Sequence, residues 1–229
     1  MKVRIGIDVG GTFTDAALID NNTYELIDTA KVPTTHSSRA GVAEGIVQVL
    51  SIIMERNHID PADVIFIAHG TTQATNALLE GDVVKVGIAT IGSGIEGLKS
   101  RSDTKMGDIP LTSLKKLHSS NVYIDSADPD FKEKAAEAIR QLMDDECRSI
   151  VAAEAFSVDD ATNENCVTDI CRELGIPGTA TNLISKLYGL KVRTRTAVVN
   201  ASIMPKMMEA ANMTEDSIKK AGITTPLMV

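Results

Sequence analysis

Six residues between Asp8 and Asp15 could do chemistry together: Asp8, Gly10, Gly11, Thr12, Thr14 and Asp15, in the stretch Ile5-Gly6-Ile7-Asp8-Val9-Gly10-Gly11-Thr12-Phe13-Thr14-Asp15. Paired glycines can take φ > 0 at no steric cost, so their N–H groups can converge. Converging N–H groups form a nest suited to phosphate oxygens. Thr12 and Thr14 add hydroxyl donors. Asp8 can hold a hydrated Mg²⁺, which keeps several waters and takes few carboxylates. A plain Gly-Gly hairpin turn, with Asp8 as a turn residue, is the alternative reading of the same residues.

The stretch lacks Gly-Lys-Ser/Thr, so it is not a Walker loop, and a strand rather than a helix follows the glycines, which excludes the dinucleotide pattern. A second polar group, His69-Gly70-Thr71-Thr72 with Asn76 beyond it, follows the apolar run Val64 to Ala68. Polar residues between a strand's carboxyl end and a helix start suit an anion or a carbonyl. The alternative is that the threonines cap the helix and His69 hydrogen-bonds to backbone.

Positioning these residues requires particular elements. Alternating and apolar runs predict strands over 3–8, 13–20 and 24–32, with Asn21-Asn22 as a turn. Val42, Ile46, Val49, Leu50 and Ile53 predict a helix over 38–56 capped by Ser37. The run Val64 to Ala68 reads as a strand buried on both faces. A short helix then extends to Leu79 and is stopped by Gly81. Val83 to Thr90 is a further buried strand that ends in Gly92-Ser93-Gly94. Residues 95–127 read as irregular, and their lysines and arginines as a solvated surface. A helix from Asp128-Pro129 to Asp144, a strand over Ser149–Ala155 and a helix from Asp159 or Asp160 to Gly175 make an α-β-α lobe. A long helix over 194–220 should kink at Pro205, and a strand begins near Val229.

The first motif resembles the phosphate-loop hairpin of the actin, hexokinase and sugar-kinase superfamily of ATPases. The second, His69-Gly70-Thr71-Thr72-Gln73-Ala74-Thr75-Asn76-Ala77-Leu78-Leu79, resembles the hydantoinase/5-oxoprolinase family, which includes ATP-dependent ketone carboxylases. The resemblance continues through Gly92-Ser93-Gly94 and Met106-Gly107-Asp108-Ile109. It also reaches Arg195 to Ala201, where Ala197-Val198 replaces a family threonine.

The resemblance implies an α/β fold: an actin-like ATPase (ribonuclease H-like) N-terminal lobe with a mixed sheet, plus a small α/β subdomain. It implies segments 1–125, 126–190 and 191–229, the last being the truncated start of a second domain, so that the chain is an N-terminal fragment. It implies ATP and Mg²⁺, with Asp8 on the metal and catalytic, and Gly10, Gly11, Thr12, Thr14 and Asp15 around the phosphates. His69, Gly70, Thr71, Thr72 and Asn76 would line the substrate side, with His69 catalytic. The implied substrate is a cyclic amide, a hydantoin or 5-oxoproline, activated at its carbonyl by phosphoryl transfer. A hydantoinase B-type partner subunit and homo-oligomerisation are implied as well. The alternatives are an acetone-type carboxylase subunit, a sugar kinase, a nucleotide-sensing subunit, and an activator of a radical dehydratase.

Bulk properties bound these readings. The 229 residues are 43% hydrophobic but only 3% aromatic, with no Trp, so a sizeable core must be aliphatic. The net charge of −8 argues against nucleic acid or an anionic membrane surface as partner. No apolar run approaches the ~18 residues needed to span a bilayer. No signal-peptide pattern precedes the first strand, so the expected location is cytoplasmic. Cys147, Cys166 and Cys171 have no CxxC spacing, which disfavours a disulfide framework or a zinc site.

Overall fold

The computed structural model describes residues 1–34 and 43–228, apart from a few side chains. These fall into two compact units, 1–76 with 206–229, and 77–205.

The first unit begins with three antiparallel strands, β1 (Val3–Val9), β2 (Phe13–Asp20) and β3 (Leu26–Pro33). Helix α1 (Ala43–Arg56) comes next, then a single 3-10 turn (Pro61–Asp63) and β4 (Val64–Thr71), which runs parallel to β1. Helix α2 (Gln73–Glu80) leaves β4. With the late strand β11 (Leu227–Met228), the sheet order is β11-β4-β1-β2-β3. Period-2 alternation puts Val3, Ile5, Ile7 and Val9 on one face, all buried. Ile46, Val49, Leu50 and Ile53 of α1, at helical spacing, cover that face together with Ile218. The Ser37 cap and positions 38–42 of the expected helix lie outside the described residues. β4 is not buried on both faces: Ile65 is 40% exposed, because only one side of this sheet carries helices in the core.

The second unit contains β5 (Val86–Gly92), α3 (Gly94–Thr104), the short strands β6 (Ile109–Pro110) and β7 (Lys116–Leu117), and β8 (Ser119–Asp125). It continues with α4 (Phe131–Asp144), β9 (Ser149–Glu154), α5 (Thr162–Glu173), β10 (Gly178–Ala180) and α6 (Thr181–Ile184). Helix α7 (Leu190–Lys220) starts here, and its residues from Lys206 belong to the first unit. Strands β10-β9-β5-β8 form one all-parallel sheet. Every residue of β5 is buried, as its continuous apolar run requires.

Residues 95–127 are regular, contrary to the sequence reading. Helix α3 buries Gly97, Ser100 and Thr104 and exposes Ile95 and Leu98, so apolar periodicity could not reveal it. Residues 126–190 do not close into a lobe of their own, because β9 pairs with β5. Residues 77–125 therefore share a compact unit with 126–205, whereas the sequence segments placed them with 1–76. The helical assignment of α7 continues through Pro205. Gly81 and Gly175 end α2 and α5 at φ +66 and +70, conformations only glycine adopts without strain.

Candidate functional site

The site is built at the turn between β1 and β2. Gly10 N–H donates to the Phe13 carbonyl at 3.0 Å and closes the turn. Neither Gly10 nor Gly11 takes positive φ, so the expected reason for the glycines is not the operative one. At Gly10 space is the reason: a Cβ there would stand 3.2 Å from the Phe13 carbonyl oxygen, whereas one on Gly11 would meet Asn76 Nδ2 at an ordinary contact distance of 3.5 Å. The Asn76 amide of α2 therefore lies beside the turn, and Asn76 N–H donates to the Thr72 carbonyl at 2.9 Å, anchoring the helix start.

Asp8 and Asp15 are cross-strand partners. Opposed like charges destabilise a strand pair unless a cation intervenes. Lys31, the register partner of Asp15 on β3, supplies one at 3.2 Å and lies over the Phe13 ring at 4.6 Å. Asp8 is exposed and next to Gly70, where an added Cβ would come within 3.8 Å of its Oδ1. Gly6, Asp8, Asp15, Lys31, Ala68 and Gly70 line an open concavity of about 580 Å³ on the sheet face away from α1.

Thr14 does not join this surface. It is fully buried, its Oγ1 lies 3.2 Å from Thr34 Oγ1, and Thr34 in turn donates to the Gly10 carbonyl at 2.9 Å. Thr14 thus braces the turn from below, against Gly45 of α1. Thr12 is exposed at the turn, and Thr72 is exposed at the start of α2. The Thr71 side chain lies outside the described residues.

His69 pairs in register with Ile7 and so points to the core face of the sheet, opposite Asp8. It is 4% exposed, and its Nδ1 meets Thr214 Oγ1 of α7 at 3.2 Å. Burial pulls its pKa below the imidazole value, and the negative charge of Asp8 partly opposes this. His69 Nε2 has no partner among the described residues.

A Mg²⁺ ion fits this donor set in one way only. Among the described residues no cluster of three or more His, Cys, Asp or Glu side chains is arranged to hold a metal. Asp8, exposed and flanked by a second carboxylate, suits an ion that keeps most of its waters and takes one or two carboxylates plus phosphate oxygens.

The sequence reading missed Lys31, Thr34 and Thr214. Lys31 could have been found from the β2–β3 register, which sets it opposite Asp15. Thr34 and Thr214 carry no local signal. Cys147 and Cys171 are buried core residues, and burial raises the Cys171 thiol to about 12. Among the described residues no helix is long and apolar enough to cross a membrane.

The hydantoinase/oxoprolinase N-terminal region, as a family description, matches residues 4–175. The chain is similar to caprolactamase subunit alpha of Pseudomonas jessenii, at 34% identity over 101 residues, covering 44% of this chain and 14% of that protein. It is similar to the acetophenone carboxylase gamma subunit of Aromatoleum aromaticum, at 28% identity over 251 aligned positions, covering 95% of this chain and 33% of that protein. Among solved structures, nucleotide-free acetone carboxylase superposes with a TM-score of 0.67 at 19% identity, over 99% of this chain and 36% of that one. The ATP-dependent caprolactamase of P. jessenii superposes with a TM-score of 0.65 at 22% identity, over 98% of this chain and 35% of that one. The chain thus spans about a third or less of the length of these relatives. The fold is the α/β, actin-like ATPase arrangement expected from the hairpin motif.

Proposed function

The chain belongs to the hydantoinase/oxoprolinase family, and from that premise we propose that it is the phosphate-holding N-terminal part of an ATP-dependent enzyme that activates a cyclic amide for ring opening. The observation that carries this reading is the Gly10-Gly11-Thr12 turn, with Asn76 beside it and Asp8 exposed at its foot. An amide carbonyl is a poor electrophile. Transfer of a phosphoryl group to its oxygen supplies a leaving group and makes attack by water feasible.

Phosphoryl transfer asks the protein for positioning and charge neutralisation more than for covalent chemistry. The turn backbone, the Thr12 hydroxyl and the Asn76 amide would orient phosphate oxygens. Asp8 would hold Mg²⁺ through its water shell. Lys31 holds Asp15 and offsets the paired carboxylates when no metal is bound. Thr72 and Asn76 would stand on the substrate side together with Gly70 and Thr71. His69, with a bare Nε2, would act as an acceptor from the core side of β4. A hydantoinase B-type partner subunit and a homo-oligomer complete the proposal. The relatives named as an alpha and a gamma subunit support assembly with other chains.

A second reading has its own support. The acetophenone carboxylase subunit aligns with nearly the whole chain, so a ketone in place of the lactam is the alternative substrate. ATP hydrolysis by the complete protein with its partner, assayed against hydantoins, 5-oxoproline, lactams and acetone, tests both. Stimulation by a cyclic amide supports the first reading, and stimulation by a ketone with bicarbonate supports the second. Residues 1–229 alone should turn over ATP negligibly, and rapid hydrolysis by them would overturn the proposal that this part only holds phosphate within a larger enzyme.

A further inference from the structure

The second unit contains a crevice that the proposed function does not use. Strand β5 lies between β8 and β9 in an all-parallel sheet. Val86 and Ile88 of β5 pack with α7 on one face, and Thr90, in the same alternation, meets Thr104 of α3 at 2.6 Å. Ala89 and Ile91 pack with α4 and α5 on the other face. The chain therefore leaves β5 towards one face and leaves the adjacent β9 towards the opposite one. Strands part at such a switch point, and a crevice opens beyond their carboxyl ends.

The crevice has a volume of about 160 Å³, and a cavity of similar size accepts a single six-membered ring. Three carboxylates line it, Glu96 of α3, Glu154 at the end of β9 and Asp160 before α5, and its lining includes no Lys, Arg or His. None of the three forms an ion pair among the described residues. The buried cation behind them is already committed. Arg193 donates to the carbonyls of Leu187, Glu154 and Ala155 and to the hydroxyls of Thr181 and Ser157. Its charge is matched by that of the buried Glu164. The negative charge of the crevice is therefore uncompensated.

Burial lifts the Glu154 carboxyl above its ordinary pKa, and the charges of Glu164 and Asp160 add to the rise, while a hydrogen bond from Asn163 at 2.9 Å opposes it. The Thr162 hydroxyl and N–H hold Asp160 below its ordinary value, so Asp160 stays charged. A cation beside these groups relieves their mutual repulsion. The amino end of α3 carries about half a positive charge, which Glu96 in its first turn offsets. A further observation is independent of charge. Ser100 on the α3 wall is 2% exposed, and its Oγ has no hydrogen-bond partner among the described residues. That hydroxyl lies 3.4 Å from where a Cβ on Gly92 would be, so the missing side chain keeps the approach to it open. A hydroxyl oxygen can accept from an N–H donor.

A metal ion needs ligands that converge, and among the described residues no three His, Cys, Asp or Glu side chains are arranged to hold one. Separated acceptors suit a flat cation whose N–H groups point in several directions. A singly substituted guanidinium offers five donors in a fixed plane and pairs with a carboxylate through two parallel hydrogen bonds, whereas an ammonium group is a compact point charge.

We propose that this crevice binds a small free guanidinium compound, with one N–H edge on the Glu154 carboxylate, a further N–H on the Ser100 hydroxyl, and Glu96 and Asp160 supplying the remaining negative charge. The proposal stands independently of the phosphate turn and of the reading built on it.

The test is two-dimensional amide NMR and calorimetry on the 229-residue chain at fixed ionic strength. Methylguanidinium is the probe, and methylammonium, Mg²⁺ and N-methylurea, its flat uncharged analogue, are the comparisons. Methylguanidinium should shift the signals of Ser93, Glu96, Ser100 and Asn163. Glu154→Gln should weaken binding by about 10- to 100-fold, the worth of a hydrogen bond to a charged group. Ser100→Ala should weaken it by about 2- to 10-fold, the worth of a neutral one. Glu96→Gln, at an exposed position, should weaken it without touching the core, which keeps the test open if Glu154→Gln fails to fold. Absence of shifts at these residues overturns the proposal. So does binding that Glu96→Gln and Ser100→Ala both leave unchanged, and so does equal or tighter binding of methylammonium, Mg²⁺ or N-methylurea at the same residues.

Discussion

Thr214 Oγ1 and His69 Nδ1, 145 positions apart in the chain, lie 3.2 Å from each other in the buried interior of the first unit. The Thr214 hydroxyl has a single proton, and it donates that proton to the Ala210 carbonyl at 2.8 Å. It can therefore only accept from the ring. This fixes the neutral His69 tautomer with hydrogen on Nδ1 and a bare lone pair on Nε2. Thr214→Val removes the acceptor, and ring ¹⁵N shifts should then report a mixture of tautomers or a flipped ring.

His69 also makes stability depend on pH. Its folded-state pKa is lowered by burial from the ordinary 6.5, so the unfolded chain binds its proton first as pH falls. The stabilisation is fully present above about 6.5 and is lost as pH drops through the lower folded-state value. Urea midpoints should fall over that window in the native chain. In His69→Gln the slope should flatten, and an unchanged slope would assign the dependence to other groups.

Gly97→Ala should destabilise the second unit although alanine favours helices by about 1 kcal/mol over glycine. The new Cβ would collide with the Tyr123 hydroxyl, which donates to the Gly92 carbonyl. Overpacking of this kind costs about 1–3 kcal/mol and should prevail. Removing the obstructing oxygen with Tyr123→Phe in the same chain should restore much of the denaturation midpoint.

Glu164 is fully buried and accepts from the Glu154 N–H at 2.9 Å, from the Asn182 N–H at 3.0 Å, from Asn182 Nδ2 at 2.6 Å and from the Thr181 hydroxyl. Thr181 in turn accepts from Nε of Arg193, which is 1% exposed. In Glu164→Gln an amide NH₂ would face donors that need an acceptor. The loss should be about 3 kcal/mol, within the range for breaking a buried charged network. Thermal unfolding of the variant measures it, and a native-like midpoint would show that this network can rearrange.

Asp8→Ala should abolish ATP hydrolysis in the complete enzyme while leaving the fold intact, since Asp8 is exposed and packs against no core residue. Activity assayed beside circular dichroism separates the two effects. Retained turnover would remove Asp8 from the metal site.

The sequence by itself determined the β1–turn–β2 hairpin, the α1 stripe, the buried strand β5 and the family. These rest on local spacing: alternation at Val3 to Val9, a 3.6 period at Ile46 to Ile53, and motif residues contiguous in the chain. Tertiary structure decided the rest. It turned Thr14 inward onto Thr34 and His69 inward onto Thr214, because side-chain direction depends on strand register, and register depends on partners far away in sequence. It gave Gly10 its role through a close neighbour, the Phe13 carbonyl, rather than positive φ. It formed α3 around Gly97, Ser100 and Thr104, whose small side chains fit beneath Thr90 and Tyr123, a packing requirement that no apolar pattern records.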